Sequence, residues 1–364
     1  MRRQIFSNRP IWTARGTIAC LAAACILGTQ AGFIAAAPPA EGKPAAVDPA
    51  TDPDFAVQGE YAGKVKYGGI EIDAGGQIIA LGKGKFHGVF FAGGLPGAGF
   101  EGKLKLEADG EAVDGQVTFK TEKGEGRVKD GIVEVFGTGG EALGKLTKIE
   151  RKSPTLGKAP PAGAVVIFDG KSAETFKNGK ISPEGWLMEG SDTLQKFGDC
   201  ELHLEFRTPY MPLARGQGRG NSGCYLQSRF EVQILDSFGL AGKNNECGGL
   251  YEIKDPDVNM CFPPLSWQTY DIDFKAAKFD SAGVKTEDAK ISVRHNGVLV
   301  QNDVPLTRTT RAAPLKDITA DAGPLHLQNH GNPVRFRNIW LTCPTEVRPR
   351  EWLDTERSLR RAGP

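Results

Sequence analysis

The stretch Asn221-Ser222-Gly223-Cys224-Tyr225-Leu226-Gln227-Ser228-Arg229-Phe230-Glu231-Val232-Gln233-Ile234-Leu235-Asp236-Ser237 carries the clearest structural signal in the chain. From residue 229 it alternates, with Phe230, Val232 and Ile234 on one side and Arg229, Glu231 and Gln233 on the other, the period of a β-strand. A polar row within so apolar a strand points to a carbohydrate-binding or catalytic face rather than to solvent-facing decoration.

Similar runs extend outward on both sides, at Val165 to Phe168, Glu201 to Phe206, Gln268 to Phe274, Ile291 to His295, Leu325 to Gln328 and Phe336 to Leu341. Many strands and almost no amphipathic helix predict two packed antiparallel sheets of the jelly-roll kind over residues 164–345. Upstream, residues 55–152 are short β-type runs punctuated by glycine, such as Gln77 to Leu81 and Gln116 to Phe119, and predict a small Gly-rich all-β module. The glycines at 93, 94 and 97 lack the strand-to-helix context and the lysine of a phosphate cradle, so they read as hairpin turns. Residues 153–163, with Pro154, Pro160 and Pro161, read as a linker. Residues 38–54 read as a flexible segment, and residues 346–364 as a charged tail.

Residues 1–37 have the form of a secretory leader: Arg2, Arg3, Arg9 and Arg15, an apolar run from Thr17 to Leu27, then Ala35-Ala36-Ala37 before Pro38. The apolar run stops too soon to span a bilayer, so the expectation is a periplasmic or secreted protein with no membrane span after cleavage. Removing four arginines and no acids takes the formal charge from +1 to −3, which gives no reason to expect a nucleic-acid partner. Five cysteines remain beyond the leader, and Cys247 and Cys261, bracketing a Gly- and Pro-containing loop, are the expected disulfide.

Five motifs then converge: Val166-Ile167-Phe168-Asp169-Gly170, Gly220 to Leu226, Glu231 to Ser237, Pro264-Leu265-Ser266-Trp267-Gln268-Thr269-Tyr270-Asp271, and His326-Leu327-Gln328-Asn329-His330-Gly331-Asn332-Pro333-Val334-Arg335-Phe336-Arg337-Asn338-Ile339. In this order they resemble the 3-keto-disaccharide hydrolase domain family across the whole second domain, while the first domain lies outside the resemblance. The resemblance implies a concanavalin A-like jelly roll with a sugar-binding face, in exported bacterial proteins that cleave glycosides already oxidised at the third carbon.

Such a reaction needs a base, an acid and an electrophile for the enolate oxygen, because the C3 ketone acidifies the hydrogen on C2 and the aglycone leaves by elimination before water adds back. Glu231 is the candidate base. His326 and His330 are candidates for acid, enolate stabiliser or, with Glu231, ligands of a divalent cation. Asn221, Ser222, Tyr225, Arg229, Gln233, Gln328, Asn332 and Arg335 are candidate substrate contacts.

Two rival readings stand beside this one. Glu231 to Asp236 is also similar to the laminarinase signature, with Asp236 as the candidate acid of a direct glycoside hydrolase; five residues on a regular strand put the two on opposite faces unless a bulge intervenes. Alternatively the protein binds polysaccharide without cleaving it, through Trp186, Trp267 or Tyr225 stacked on sugar rings.

Overall fold

The computed structural model describes residues 44–102 and 104–344. The expectations for the leader and for the C-terminal tail fall outside the described residues. Eight strands come first: β1 (Gly59–Tyr67), β2 (Ile70–Gly82), β3 (Lys85–Ala92), β4 (Lys105–Val113), β5 (Gln116–Thr121), β6 (Gly124–Lys129), β7 (Ile132–Phe136) and β8 (Ala142–Ile149). Each pairs antiparallel with the next, and β8 returns to β1, so the Gly-rich module is a closed meander barrel without a free edge. The first hairpin turns on Gly68 and Gly69, with φ of 59° and 84°, a conformation two L-residues with side chains adopt only at a cost. Alternation sends Tyr61, Ile78, Phe86, Val117, Phe119 and Leu146 inward to fill one end of the barrel.

The sandwich follows as β9 (Val165–Phe168), β10 (Phe176–Lys177), β11 (Leu187–Met188), β12 (Ser191–Phe197), β13 (Cys200–Arg207), β14 (Ser222–Leu226), β15 (Phe230–Ile234), β16 (Trp267–Lys275), β17 (Lys278–Phe279), β18 (Lys285–Glu287), β19 (Ala289–His295), β20 (Val298–Leu306), β21 (Gly323–Leu327) and β22 (Arg335–Thr342). One sheet has five strands in the order β10-β12-β21-β14-β15; the other has seven, running β11-β22-β13-β16-β19-β20 with β9 beside β22, and β17 and β18 form a separate hairpin. The all-β jelly-roll sandwich preceded by a Gly-rich β-module is therefore the architecture that the strand pattern predicts. Phe230, Val232 and Ile234 of one sheet and Leu204, Phe206, Tyr270 and Ile272 of the other belong to a single buried core. Among the described residues no helix is long and apolar enough to cross a membrane.

Barrel and sandwich share hydrocarbon. Ile79, Val89 and Phe91 point out of the barrel wall and join the sandwich core with Phe238, Met260 and Phe262. Contact there is close enough that a Cβ on Gly239 would sit 2.3 Å from the Ile79 methyl. Polar clamps ring this contact. Arg151 grips the buried Glu60 through Nε (2.7 Å) and Nη2 (2.5 Å), while its Nη1 donates to Pro96 O. Arg219 donates from Nε to Asp236 Oδ2 at 2.6 Å and from Nη1 to Ala80 O in the barrel.

Two segments expected to be loose are instead bonded to the fold. Asp48 and Asp52 accept from nearby backbone N–H groups, Val47 N donates to Tyr210 O, and Phe55 packs edge-on against Tyr210, so the stretch read as flexible is anchored from residue 47 onward. The linker is a strap on the seven-stranded sheet, with Ser153 and Thr155 hydroxyls on Thr269, Thr155 also on Asp271, and Gly157 N on Glu205. The expected Cys247–Cys261 disulfide is not formed. Both thiols are free and buried, each within the other's hydrogen-bonding shell, with Cys247 Sγ 3.2 Å from the Tyr270 hydroxyl and Cys261 Sγ directed to the carbonyls of Leu235 and Phe262. Loop spacing placed the pair as neighbours, and each thiol has polar partners of its own in a buried setting.

The Arg219–Asp236 pair generates a stability prediction. Arg219→Ala strands a carboxylate that is almost wholly buried and should lower unfolding stability by about 3–5 kcal/mol, read from the urea midpoint, whereas the apolar double replacement Arg219→Met/Asp236→Leu should recover most of that loss.

Candidate active site

Strand register builds the site. Asp192 on β12 lies opposite His326 on β21, His326 opposite Tyr225 on β14, and Tyr225 opposite Glu231 on β15. Four chemically active side chains thus stand in one row across four strands, on the face of the five-stranded sheet turned away from the core. Directly opposed residues approach to about 5 Å between Cβ atoms, so neighbours in this row interact by necessity. His326 Nδ1 is 2.8 Å from Asp192 Oδ1, and the His326 and Tyr225 rings meet edge to face with centroids 5.1 Å apart. An adjacent row holds Gln328, Gly223 and Gln233: Gln328 N donates to Gly223 O, and Gly223 lies opposite Gln233.

Gly223 is what allows Glu231 its position. A Cβ there would fall 2.3 Å from Glu231 Oε1 and 2.8 Å from the Tyr225 ring, so the carboxylate occupies the space a side chain would take. The Tyr225 hydroxyl faces that carboxylate and accepts from Gln328 Nε2 at 3.0 Å. Burial pushes the Glu231 carboxyl up to about 7, and the Tyr225 hydrogen bond offsets only part of this. Three oxygens in this neighbourhood, Glu231 Oε2, Gln328 Oε1 and Asn221 Oδ1, are buried without a hydrogen-bond partner. All three are acceptors, suited to donors such as sugar hydroxyls.

Glu205, on the seven-stranded sheet, provides the contrast. Burial works to raise its pKa as well, but donation from His203, Asn338, Gly157 N and Arg337 overcomes it and holds the carboxyl down at about 2. His203 is likewise held by Asp271 at 2.8 Å and stacked on Trp340. That cluster is satisfied and anchors the strap; Glu231 is the carboxylate left with chemical capacity.

Other sequence candidates separate. Asn221 shares the Glu231 face, with Nδ2 bonded to Gln217, and Gln233 shares it too, its amide held by Gln217 Oε1 and Asn245 O. Ser222 is turned to Gln328 O, and Asn332 Oδ1 accepts from Asn221 N, so both brace the backbone. Arg229 is spent on the loop that walls the site, donating to the Asp317 and Asp321 carbonyls and to Thr319 Oγ1. Arg335 lies on the other sheet, paired with Glu189 at 2.7 Å. Asp236 is not available as an acid, because Arg219 holds it in a buried ion pair. His330 lies exposed on the loop after β21. Glu231, His326 and His330 do not form a ligand set, since no three His, Cys, Asp or Glu side chains among the described residues converge to hold a metal. Trp186 and Trp267 meet edge to face away from the Glu231 row, capped by Arg207 and Arg337. Asp192 went unnoticed in the sequence, because only cross-strand pairing connects it to His326.

Residues 163–342 match the model of the 3-keto-alpha-glucoside-1,2-lyase-like domain. The chain belongs to that family. This lyase-like domain spans the whole sandwich and carries a glycoside-acting function. Two crystal structures from Parabacteroides distasonis, each described as a candidate glycosyl hydrolase, are similar to it. One is 32% identical, with 50% of this chain and 84% of its own covered and a TM-score of 0.46; the other is 17% identical, with 50% and 93% covered and a TM-score of 0.37. Comparison with curated proteins returns no match.

A pH-dependent stability follows from Glu231. Its folded-state pKa of about 7 exceeds the ordinary 4.5, so the folded lyase-like domain binds the extra proton, and stability falls as pH rises between those values, by about 3 kcal/mol in all. Glu231→Gln should therefore melt well above the parent protein at pH 8 and close to it at pH 4, by calorimetry. An equal offset at both pH values would contradict the assignment.

Proposed function

We propose that the lyase-like domain cleaves 3-keto-glycosides by elimination, with Glu231 removing the proton from C2. The observation that supports this most directly is the register-locked row Asp192–His326–Tyr225–Glu231, which sets a carboxylate of unusually high pKa and a histidine–aspartate pair on one sheet face. A carboxylate with a pKa of about 7 is a far stronger base than an ordinary one and remains substantially ionised at neutral pH. The ketone at C3 acidifies the C2 hydrogen and delocalises the resulting charge as an enolate. His326, whose Nδ1 faces Asp192, protonates the glycosidic oxygen as the C1–O bond breaks; with Nδ1 engaged by the carboxylate, Nε2 is the ring nitrogen left to act. The enone left between C1 and C2 then adds water. Gln328 and Asn221, with their unpartnered oxygens, would receive substrate hydroxyls.

Access is unequal along the row. The His326 side chain is 17% exposed and Asp192 34%, whereas Glu231 is only 2% exposed, on a strand whose edge is flanked by Thr310, whose hydroxyl accepts from Glu231 N. The sugar would therefore enter over His326, the more exposed end of the row. The direct hydrolysis reading loses support because its acid, Asp236, is ion-paired elsewhere, and the lectin-like reading because Trp186 and Trp267 lie off this face and Tyr225, which is on it, is fully buried. On the leader-like residues 1–37, the proposed setting is the periplasm or the exterior.

The test uses 3-keto-glucosides with poor and with activated leaving groups, beside the unoxidised parents. Turnover should require the ketone, and kcat/KM should climb about tenfold per pH unit up to a pH of about 7. Glu231→Gln should lose roughly 100-fold to 10,000-fold with every leaving group, as expected for a lost base. His326→Gln should be largely rescued by a nitrophenolate leaving group, which needs no acid. Cleavage of unoxidised glycosides alone would overturn the reading; rescue of Glu231→Gln instead of His326→Gln would exchange the two roles.

A further inference from the structure

The barrel holds a cavity that plays no part in the sandwich site. One end of the lumen is packed by Tyr61, Ile78, Phe86 and Val117, and the rings of Phe90 and Phe119, edge to face with centroids 5.6 Å apart, form a floor above them. Beyond that floor lies a space of about 180 Å³, lined by Val65, Ile72, Leu106, Val133, Val135 and Phe136 among others. Its charged lining residues, Lys66, Lys123 and Glu125, are exposed or half-exposed, while Phe119, Val133 and Leu146 are buried, so the space is apolar at depth and opens at one end.

The lumen is hollow because inward positions are glycine. Strand alternation places Gly63, Gly76, Gly88, Gly110, Gly126 and Gly144 on the inner face of six of the eight strands. Some of that room is taken by the two rings: added Cβ atoms at Gly76 and Gly88 would lie 3.2 Å and 2.8 Å from Phe90. At Gly126 the nearest atoms to such a Cβ are 3.5 Å and 3.9 Å away, so a methyl fits there in ordinary van der Waals contact without a clash. Eight-stranded barrels either fill their interior with side chains or hold one small ligand. An apolar cavity of roughly 150 Å³ stays dry and accepts a benzene-sized molecule.

We propose that the barrel lumen is a binding site for one uncharged apolar molecule, an aromatic ring or short aliphatic chain, whose polar end projects through the open mouth beside Tyr67 and Lys123. A charged group inside would find no partner among the deep lining residues. The floor of two edge-to-face rings favours an aromatic occupant.

The experiment titrates the full chain with the neutral fluorophore N-phenyl-1-naphthylamine. Saturable one-to-one enhancement is expected. Gly126→Ala should weaken it modestly and Gly126→Leu by about tenfold or more, the equivalent of 1.4 kcal/mol, in order of the volume added to the lumen. Both changes sit at an ordinary backbone conformation with space for a Cβ, and if the leucine variant fails to fold the alanine variant carries the test. Absence of saturable binding would overturn the proposal. So would unchanged affinity in folded Gly126 variants, which would place the probe on the exposed Tyr67 and Ile70 surface.

Discussion

The constraint on which the sandwich depends is the register between β14 and β15. With Tyr225 opposite Glu231 and Gly223 opposite Gln233, Phe230, Val232 and Ile234 enter the core while the carboxylate lies over a glycine. A slip of one residue would reverse the faces, driving Glu231 between the sheets and Val232 into the site. Burial of the apolar row and placement of the polar row are one event. The hydrocarbon side supplies the free energy, and the other side carries whatever chemistry the same register permits.

That coupling explains how a carboxylate can be kept without a full complement of donors. Glu205 and Glu231 are similarly buried, yet one is saturated by a guanidinium, an amide, a histidine and a backbone N–H, and the other is faced by a tyrosine hydroxyl. The first behaves as a fixed anion that ties the strap to the sheet. The second retains a proton affinity near neutrality, a condition that destabilises the folded state and persists because the surrounding register leaves the side chain nowhere else to go.

The barrel obeys the same period-two logic with a different result. Outward Ile79, Val89 and Phe91 fuse it to the sandwich core, and inward glycines keep part of its lumen open. Its joint with the sandwich is not a free hinge: the strap over Thr269 and Asp271, the Arg219 bond to Ala80 O and the docked stretch around Tyr210 tie the two together. Proline content correctly excluded regular structure from residues 153–163 but could not reveal hydrogen bonds to a sheet distant in sequence.

Alternation, glycine spacing and the ordered motifs were enough to read the all-β class and the sandwich and to single out Glu231 and His326, because these are local or near-local patterns. Asp192 was invisible, since its link to His326 spans 134 residues and exists only through β12–β21 pairing. Arg229, Asn332, Arg335 and Asp236 looked like site residues from strand polarity and motif position, and each is engaged by a partner elsewhere in the chain. Side-chain identity and strand period are properties of the sequence itself. Which polar groups are satisfied and which remain free is settled only when distant segments compete for the same donors and acceptors in three dimensions.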